Sequence, residues 1–575
     1  MIQISPITIE IIQCKLIAIA QHISERLIRS GRSFVIKEME DCSASLFDRD
    51  GRLLAESANI PIHLNCVGVC LNAILDHNIP AKEWNPGDVI VTNDPYLGGS
   101  LGSAHTNDIV MYQPVFVDGE LEGFCGLMAH HMDIGAMWPG TRGWGVEIFQ
   151  EGLLIPPLKI VAGGVTNEAV FELILRNTRY PDVLGNDLHA QLASLQTSAD
   201  ELANIFVRYG RETIIGCAEA IMAHGEKRTR QEIDAIADGV YHHEEPVLDD
   251  GAKGGPYWLR LSITKKGSEI CFDFTGTDKQ IAGPINAPLS TTLSAVDYVM
   301  RCLTDPTLPN NDGCKRPIQV VAPPGSLVNA QAPAAVYQRM IVCHSIVDLI
   351  MGALADALPD RVIADSCGCQ YNYGAGIDPN SKQRIMFGEV APGGMGATAA
   401  EDGINVMSCH VTNCSIPPME ATEIEAPVLF LKREFQEDTG GAGRRRGGVG
   451  QVTSYRLLGD EGWLYRTSQK SVSRPQGMHG GLAGAGGRWI INEGRSGERT
   501  LPHVIGDIDT LDSGDTVTFY STAGGGFGDP HQREPERVRD DVQAGFVSVA
   551  AAKDVYGVDI DGDSLEITEV TERPS

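Results

Sequence analysis

Three histidines and two aspartates, His105, Asp108, His130, His131 and Asp133, flank a segment that reads as a β-hairpin. Strand-like residues 109–117 and a return strand from Glu120 towards Met128 enclose Asp118-Gly119, a pair that favours a two-residue hairpin turn. Pairing Val117 with Glu120 and counting back sets Asp108 opposite Ala129 and Thr106 opposite His131, so the open end of the hairpin gathers these groups. Imidazoles and carboxylates crowded together perturb one another's ionisation, and a divalent cation resolves the conflict. Donors of this kind without thiolate suit manganese, iron or zinc, and three protein ligands with an open position mark a catalytic centre. His105, Asp108 and His130 are the expected ligands, with Asp41 a candidate for the fourth position or for the general base. Side chains alternate along a strand, so His131 should face away from His130, which leaves His131 and Asp133 as supporting or acid–base groups. Read singly, each would pass for a turn-capping or surface residue; their convergence argues for a site.

Other groups carry less. His63, in Ile60-Pro-Ile-His-Leu64, either lines the same cavity or sits in a loop. Asn93-Asp-Pro-Tyr96 followed by Gly98-Gly99 reads as a turn with an Asx-type start. Cys343-His344 and Cys409-His410 lie in apolar or mixed surroundings that do not favour a thiol nucleophile. Arg444-Arg-Arg446 among glycines either holds an anion or forms an exposed loop. No GxxxxGK[ST] sequence is present, so phosphate binding by this chain alone is not expected.

The elements that position these groups follow from periodicity. Residues 8–30 carry Ile12, Leu16, Ile19, Ile23 and Leu27 at three- and four-residue steps and end at Gly31, an amphipathic helix. Residues 43–48 and 52–55 flank Arg49-Asp-Gly51 as a first hairpin, with Asp41 just before it. Pro114 inside the second hairpin suggests a sheet edge. Residues 187–236 are helical in composition with a break at Gly210, residues 257–274 alternate as β-structure, and residues 335–357 are helical again. Beyond residue 379 short β-runs alternate with glycine-rich loops, and residues 536–551 resume helical composition. The expected fold is α+β and multi-domain: an N-terminal metal-site domain over 1–186, a helical segment over 187–245, an α/β middle domain over 246–380, and a β-rich C-terminal domain over 381–575 with a terminal helix.

Composition bounds the rest. The 575 residues, at 42% hydrophobic and 21% charged, are globular in character and too many for one core. Forty-six basic against 75 acidic residues give a net charge of −29, which disfavours nucleic acid and anionic membranes as partners. The first residues lack the basic stretch and apolar run of a secretory signal, and no uncharged stretch reaches membrane-span length, so a cytoplasmic protein is expected. The 14 cysteines are mostly scattered singly, as buried reduced thiols are.

An ordered series of motifs resembles the hydantoinase B/oxoprolinase family: Asn93-Asp-Pro-Tyr96, His105-Thr-Asn-Asp108, Ala129-His-His-Met-Asp-Ile-Gly135, Glu147-Ile-Phe-Gln-Glu-Gly152, Gly185-Asn-Asp-Leu-His-Ala-Gln191, Asp273-Phe-Thr-Gly-Thr277, Asn311-Asp-Gly313 and Gly524-Gly-Gly-Phe-Gly-Asp-Pro530. The resemblance implies a B-type subunit working with a larger hydantoinase A-type ATPase, which binds ATP and Mg and phosphorylates the substrate, in a heterotetramer or larger complex. Some such complexes open cyclic amides such as hydantoins, 5-oxoproline or lactams, and related ones carboxylate acetone or acetophenone. In the carboxylases the corresponding subunit holds a metal through a His-x-x-Asp pair and a later His, a pattern that His105, Asp108 and His130 match. Most relatives have a shorter approach to that first His than Gly99-Ser-Leu-Gly-Ser-Ala104. The resemblance thus implies a subunit that directs water, activated by a metal or by Asp41, at a phosphorylated cyclic amide. A ketone-carboxylase subunit and a non-catalytic scaffold for the ATPase are the alternatives; the chain length suits the hydrolases better than the longer acetone-carboxylase subunits.

Overall fold

The computed structural model describes residues 4–57, 59–139, 145–248, 254–502 and 507–571. The fold is α+β, and the chain divides into two compact units, residues 1–245 with 258–353 and residues 246–257 with 354–575.

The first unit opens with helix α1 (Pro6–Ser30). Ser5 caps it by accepting from the Thr8 N–H at 3.1 Å, and Pro6 takes the first-turn position where its missing N–H costs nothing. Its stripe of Ile12, Leu16, Ile19, Ile23 and Leu27 is buried, each side chain contributing roughly 1.5–3 kcal/mol. At 25 residues α1 is long and apolar enough to cross a membrane by composition, yet it carries Glu10, Lys15, Glu25 and Arg26, and its stripe belongs to the core.

That core is built on an antiparallel seven-stranded sheet in the order β2-β1-β5-β4-β3-β6-β7. The strands are β1 (Cys42–Asp48), β2 (Leu53–Glu56), β3 (Val89–Thr92), β4 (Asp108–Val117), β5 (Glu120–His130), β6 (Leu158–Ala162) and β7 (Val165–Thr166). One face, with Ile109, Met111, Leu127 and Ala129, packs on α1 and on the helix over Pro181–Tyr209; the other, with Val110, Tyr112 and Met128, packs on helix α2 (Cys66–His77). The long helix, α3 (Pro181–Tyr209), ends where the sequence places a break: Gly210 has φ 82° and α4 (Arg211–Asp234) begins. Residues 186 and 187 lie inside α3, with no interruption between them.

Two sequence expectations about the second hairpin need correction. The turn is at Asp118-Gly119, with φ 52° and 84°, and Val117 pairs with Glu120 as expected. However, Val115 pairs with Gly123 and Phe116 with Leu121, so Glu122 is the extra residue of a β-bulge and the ladder beyond it shifts by one. Asp108 therefore stands opposite His130 rather than Ala129. Pro114 is also not on an edge strand, because β4 lies between β5 and β3. Its lack of an N–H is tolerated because the β3 ladder covers only Val110 to Tyr112 and stops short of it. The unit is completed by a four-stranded sheet of β8 (Gly239–Val247), β9 (Tyr257–Lys266), β10 (Glu269–Asp273) and β11 (Ile318–Val321), and by α5 (Leu289–Leu303) and α6 (Met340–Ala353).

The second unit is β-rich, as its composition predicts. β12 (Gln370–Ile377) and β13 (Arg384–Val390) pair in one four-stranded sheet, and β14 (Val428–Phe435) and β15 (Gln451–Leu457) in a five-stranded one. The glycine-rich loops lie backbone against backbone: a Cβ on Gly394 would come 1.8 Å from the Gly448 oxygen, and one on Gly524 1.9 Å from the Met395 oxygen. Arg446, from the Arg-rich loop, is buried on Asp541 at 3.3 Å and Asn405 at 3.2 Å, so it forms an internal ion pair rather than part of an exposed loop.

Candidate metal centre

His105, Asp108 and His130 meet where β4 begins and β5 ends. The bulge at Glu122 sets His130 directly across from Asp108, and alternation puts both side chains on the α2 face with Val110 and Met128. His105 reaches them from a loop held at several points. Asp94 Oδ1 accepts the Tyr96 N–H at 2.9 Å in the expected Asx turn, and the N–H groups of Gly102 and Ser103 close onto the oxygens of Pro95 and Asp94 at 3.1 Å. A Cβ on Gly102 would lie 1.9 Å from the Asp94 oxygen, so the long approach to His105 has this path only with glycine there. Asn93 Nδ2 donates to the Thr106 oxygen at 2.6 Å and the Leu153 oxygen at 2.9 Å, and Thr106 Oγ1 donates to the Glu151 oxygen at 2.6 Å.

The resulting geometry is a triangle: His105 Nε2 to Asp108 Oδ1 2.9 Å, His130 Nδ1 to the same oxygen 3.0 Å, and Nε2 to Nδ1 3.1 Å. Hydrogen bonds cannot satisfy all three edges, because each imidazole nitrogen carries at most one proton, and two such protons aimed at the carboxylate leave the nitrogens facing each other. Donors at ~2.0–2.2 Å from one cation stand roughly 3.0–3.5 Å apart, so the triangle fits the face of a coordination sphere built from two imidazoles and one carboxylate. All three residues fit the expected divalent metal.

Further charges surround the triangle. Arg339, entering α6, donates from Nη2 to Asp108 Oδ2 at 3.0 Å, and His63 Nε2 lies 3.8 Å from that oxygen while its Nδ1 meets Ser43 Oγ at 3.1 Å. Burial alone would raise the Asp108 pKa, but the charges of His105 and Arg339 and the imidazole hydrogen bonds outweigh it and hold the carboxyl well below its ordinary range. Burial and then Arg339 push His105 well down, so it is neutral and free to ligate. Burial likewise lowers His63. Asp41 accepts the His130 N–H on its backbone oxygen at 3.0 Å, and its carboxyl interacts electrostatically with His130, His63, Asp108 and Arg339; burial, the largest influence, raises its pKa.

The structure does not bring His131 and Asp133 to the triangle. His131 follows the alternation onto the α3 face, where Nε2 meets Gln191 Oε1 at 3.4 Å; Gln191 in turn donates to the oxygens of Ile109 and Leu127 and so clamps β4 to β5. Asp133 pairs with Arg179 Nη1 at 3.0 Å and accepts from the Arg179 N–H at 2.7 Å and Thr178 Oγ1 at 3.2 Å. Sequence reasoning missed Arg339 and Glu151. Arg339 is a lone charge at the start of the apolar run Met-Ile-Val-Cys, a signal that could have found it. Glu151, 2% exposed, accepts the Val336 and Tyr337 N–H groups on Oε1 at 3.0 and 2.7 Å and so fixes the backbone leading to Arg339.

The sequence model of the hydantoinase B/oxoprolinase family matches residues 5–530. The chain belongs to that family. It is 31% identical to a protein of Pseudomonas sp. (strain NS671) named as the putative B subunit of a D-/L-hydantoinase, over 98% of this chain and 97% of that one. The crystal structure of the ATP-dependent caprolactamase from Pseudomonas jessenii matches with a TM-score of 0.89 at 27% identity, covering 98% of this chain and 97% of its counterpart. A nucleotide-free acetone carboxylase shares the fold, with a TM-score of 0.89 at 22% identity over 98% of this chain and 81% of that chain. The relatives thus include the B subunit of a hydantoinase and the beta subunit of an ATP-dependent caprolactamase, both components of larger hydrolases.

Proposed function

We propose that this chain is the B-type subunit of an ATP-dependent cyclic-amide hydrolase of the cytoplasm, acting on a hydantoin or lactam that an A-type ATPase partner, holding ATP and Mg, has phosphorylated. The observation that carries the proposal is the triangle of His105 Nε2, Asp108 Oδ1 and His130 Nδ1 in a hydantoinase B-family fold.

In this reading His105, Asp108 and His130 hold a manganese, zinc or iron ion. The metal supplies Lewis-acid polarisation and makes water a stronger acid. Asp41, beside the triangle, takes the proton of the attacking water, and His63 and Arg339 fix the charge and orientation of Asp108. His131 and Asp133 act as positioning residues, through the Gln191 clamp and the Arg179 pair. An amide carbonyl is a poor electrophile because of resonance, and phosphorylation of its oxygen creates the leaving group that justifies an ATPase partner.

Co-purification with the ATPase partner and assay against hydantoins, lactams and ketones plus bicarbonate test this. ATP-dependent ring opening by the complex, with neither ATP hydrolysis nor ring opening by this chain alone, is the expected result. Turnover by the isolated chain, or carboxylation of a ketone in its place, would overturn it.

A further inference from the structure

We infer that the second unit carries a separate binding site for a small neutral molecule that both donates and accepts hydrogen bonds, as a simple amide does, in a slot between its two sheets. The slot encloses about 270 Å³, part of it open to solvent, and its closed end narrows to the scale of one water. Asn372 on β12 and Glu389 on β13 line it from one sheet; Phe430 and Arg433 on β14 and Tyr455 on β15 line it from the other.

Four polar atoms of these residues have no protein partner: Asn372 Oδ1, Glu389 Oε1, Tyr455 Oη and Arg433 Nε. Asn372, Glu389 and Tyr455 are 4%, 3% and 1% exposed, so bulk water does not satisfy them. Buried polar groups are paired in folded proteins almost without exception, and four unpaired ones around a single slot mark a place where something else binds.

Charge selects the class. Glu389 Oε2 pairs with Arg433 Nη2 at 3.0 Å, so the site holds one negative and one positive group and is balanced. An anion drawn to Arg433 meets the carboxylate, and a cation drawn to Glu389 meets the guanidinium, so a neutral guest fits best. The unpaired atoms include acceptors, Asn372 Oδ1 and the Glu389 oxygen, and donors, Arg433 Nε and the Tyr455 hydroxyl. Phe430 and Tyr455, with ring centroids 5.9 Å apart, supply apolar walls suited to a flat molecule. The site is independent of the triangle in the first unit.

Saturation-transfer NMR on the full chain with three isosteric probes, acetamide, acetate and acetone, tests the inference. Acetamide should receive saturation, acetate and acetone much less. Tyr455→Phe, which removes one hydroxyl, should weaken acetamide about five- to tenfold, while His130→Ala leaves it unchanged. Glu389→Gln, which unbalances Arg433, should shift preference towards acetate. A soaked crystal should show acetamide bound at Tyr455 Oη. Ordered water alone in the slot, acetone binding as well as acetamide, an unaltered response in Tyr455→Phe, or no shift towards acetate in Glu389→Gln would each overturn it.

Discussion

Replacing Glu151 by Gln removes an ionisable group from the support of the candidate metal centre while keeping its shape. Burial pushes the Glu151 pKa from 4.5 to about 8, and the Val336 and Tyr337 N–H groups and Arg339 offset this only in part. Because the pKa is raised in the folded state, the folded chain holds this proton more tightly than the unfolded chain. The contribution to stability is therefore complete below pH 4.5 and is lost as pH rises through about 8. Each pH unit in that window removes ~1.4 kcal/mol, which amounts to ~3 kcal/mol by pH 7 and ~5 kcal/mol above pH 8. The Gln oxygen still accepts both N–H groups, at 3.0 and 2.7 Å in the native geometry, but the variant has no proton to lose. Calorimetric unfolding of both proteins between pH 5.5 and 7.5 should show the variant gaining on the native chain by ~1.4 kcal/mol per pH unit. Parallel stability profiles would refute the reasoning and place Glu151 as an ordinary carboxylate.

Other perturbations probe separate links. Arg339→Leu should cost about 3–5 kcal/mol in thermal unfolding, because it strips the 3.0 Å partner from a carboxylate that is fully buried, and Arg339→Lys should restore only part of it. Gly102→Ala should lower the metal content of the purified chain, since its Cβ must displace the Asp94 oxygen and with it the loop that carries His105. Ile23→Ala in α1 should destabilise by about 2–5 kcal/mol, as a side chain with 0% exposure leaves a cavity; an unaffected melting temperature would contradict the core role of α1. A thiol reagent should label Cys14 and Cys302, the two exposed cysteines, in the native chain, with the other thiols reacting after denaturation.

Much of the site was legible in the sequence because its signals are local. The stripe of α1, the Asp118-Gly119 turn and the alternation separating His130 from His131 depend only on neighbours along the chain. The one-residue error in the hairpin ladder has a tertiary cause. Glu122 is bulged where it pairs with Arg211 Nε at 3.1 Å, and Gly123 packs so close to β1 that a Cβ would fall 2.3 Å from the Phe47 oxygen. His63 and Arg339 reach Asp108 from 45 and 231 positions away along the chain, a proximity no local pattern encodes. The burial of Arg446 likewise depends on Asp541, which lies 95 residues on. Composition could find the ligand types, but their supporting charges come from the packing.

Elemental analysis of the natively purified complex, wild type beside His130→Ala, bears most directly on the triangle. The arrangement predicts a stoichiometric first-row transition metal in the native protein and a clear loss of it in the variant, with the ATPase partner still bound. The same metal content in both proteins, or none in either, would contradict it.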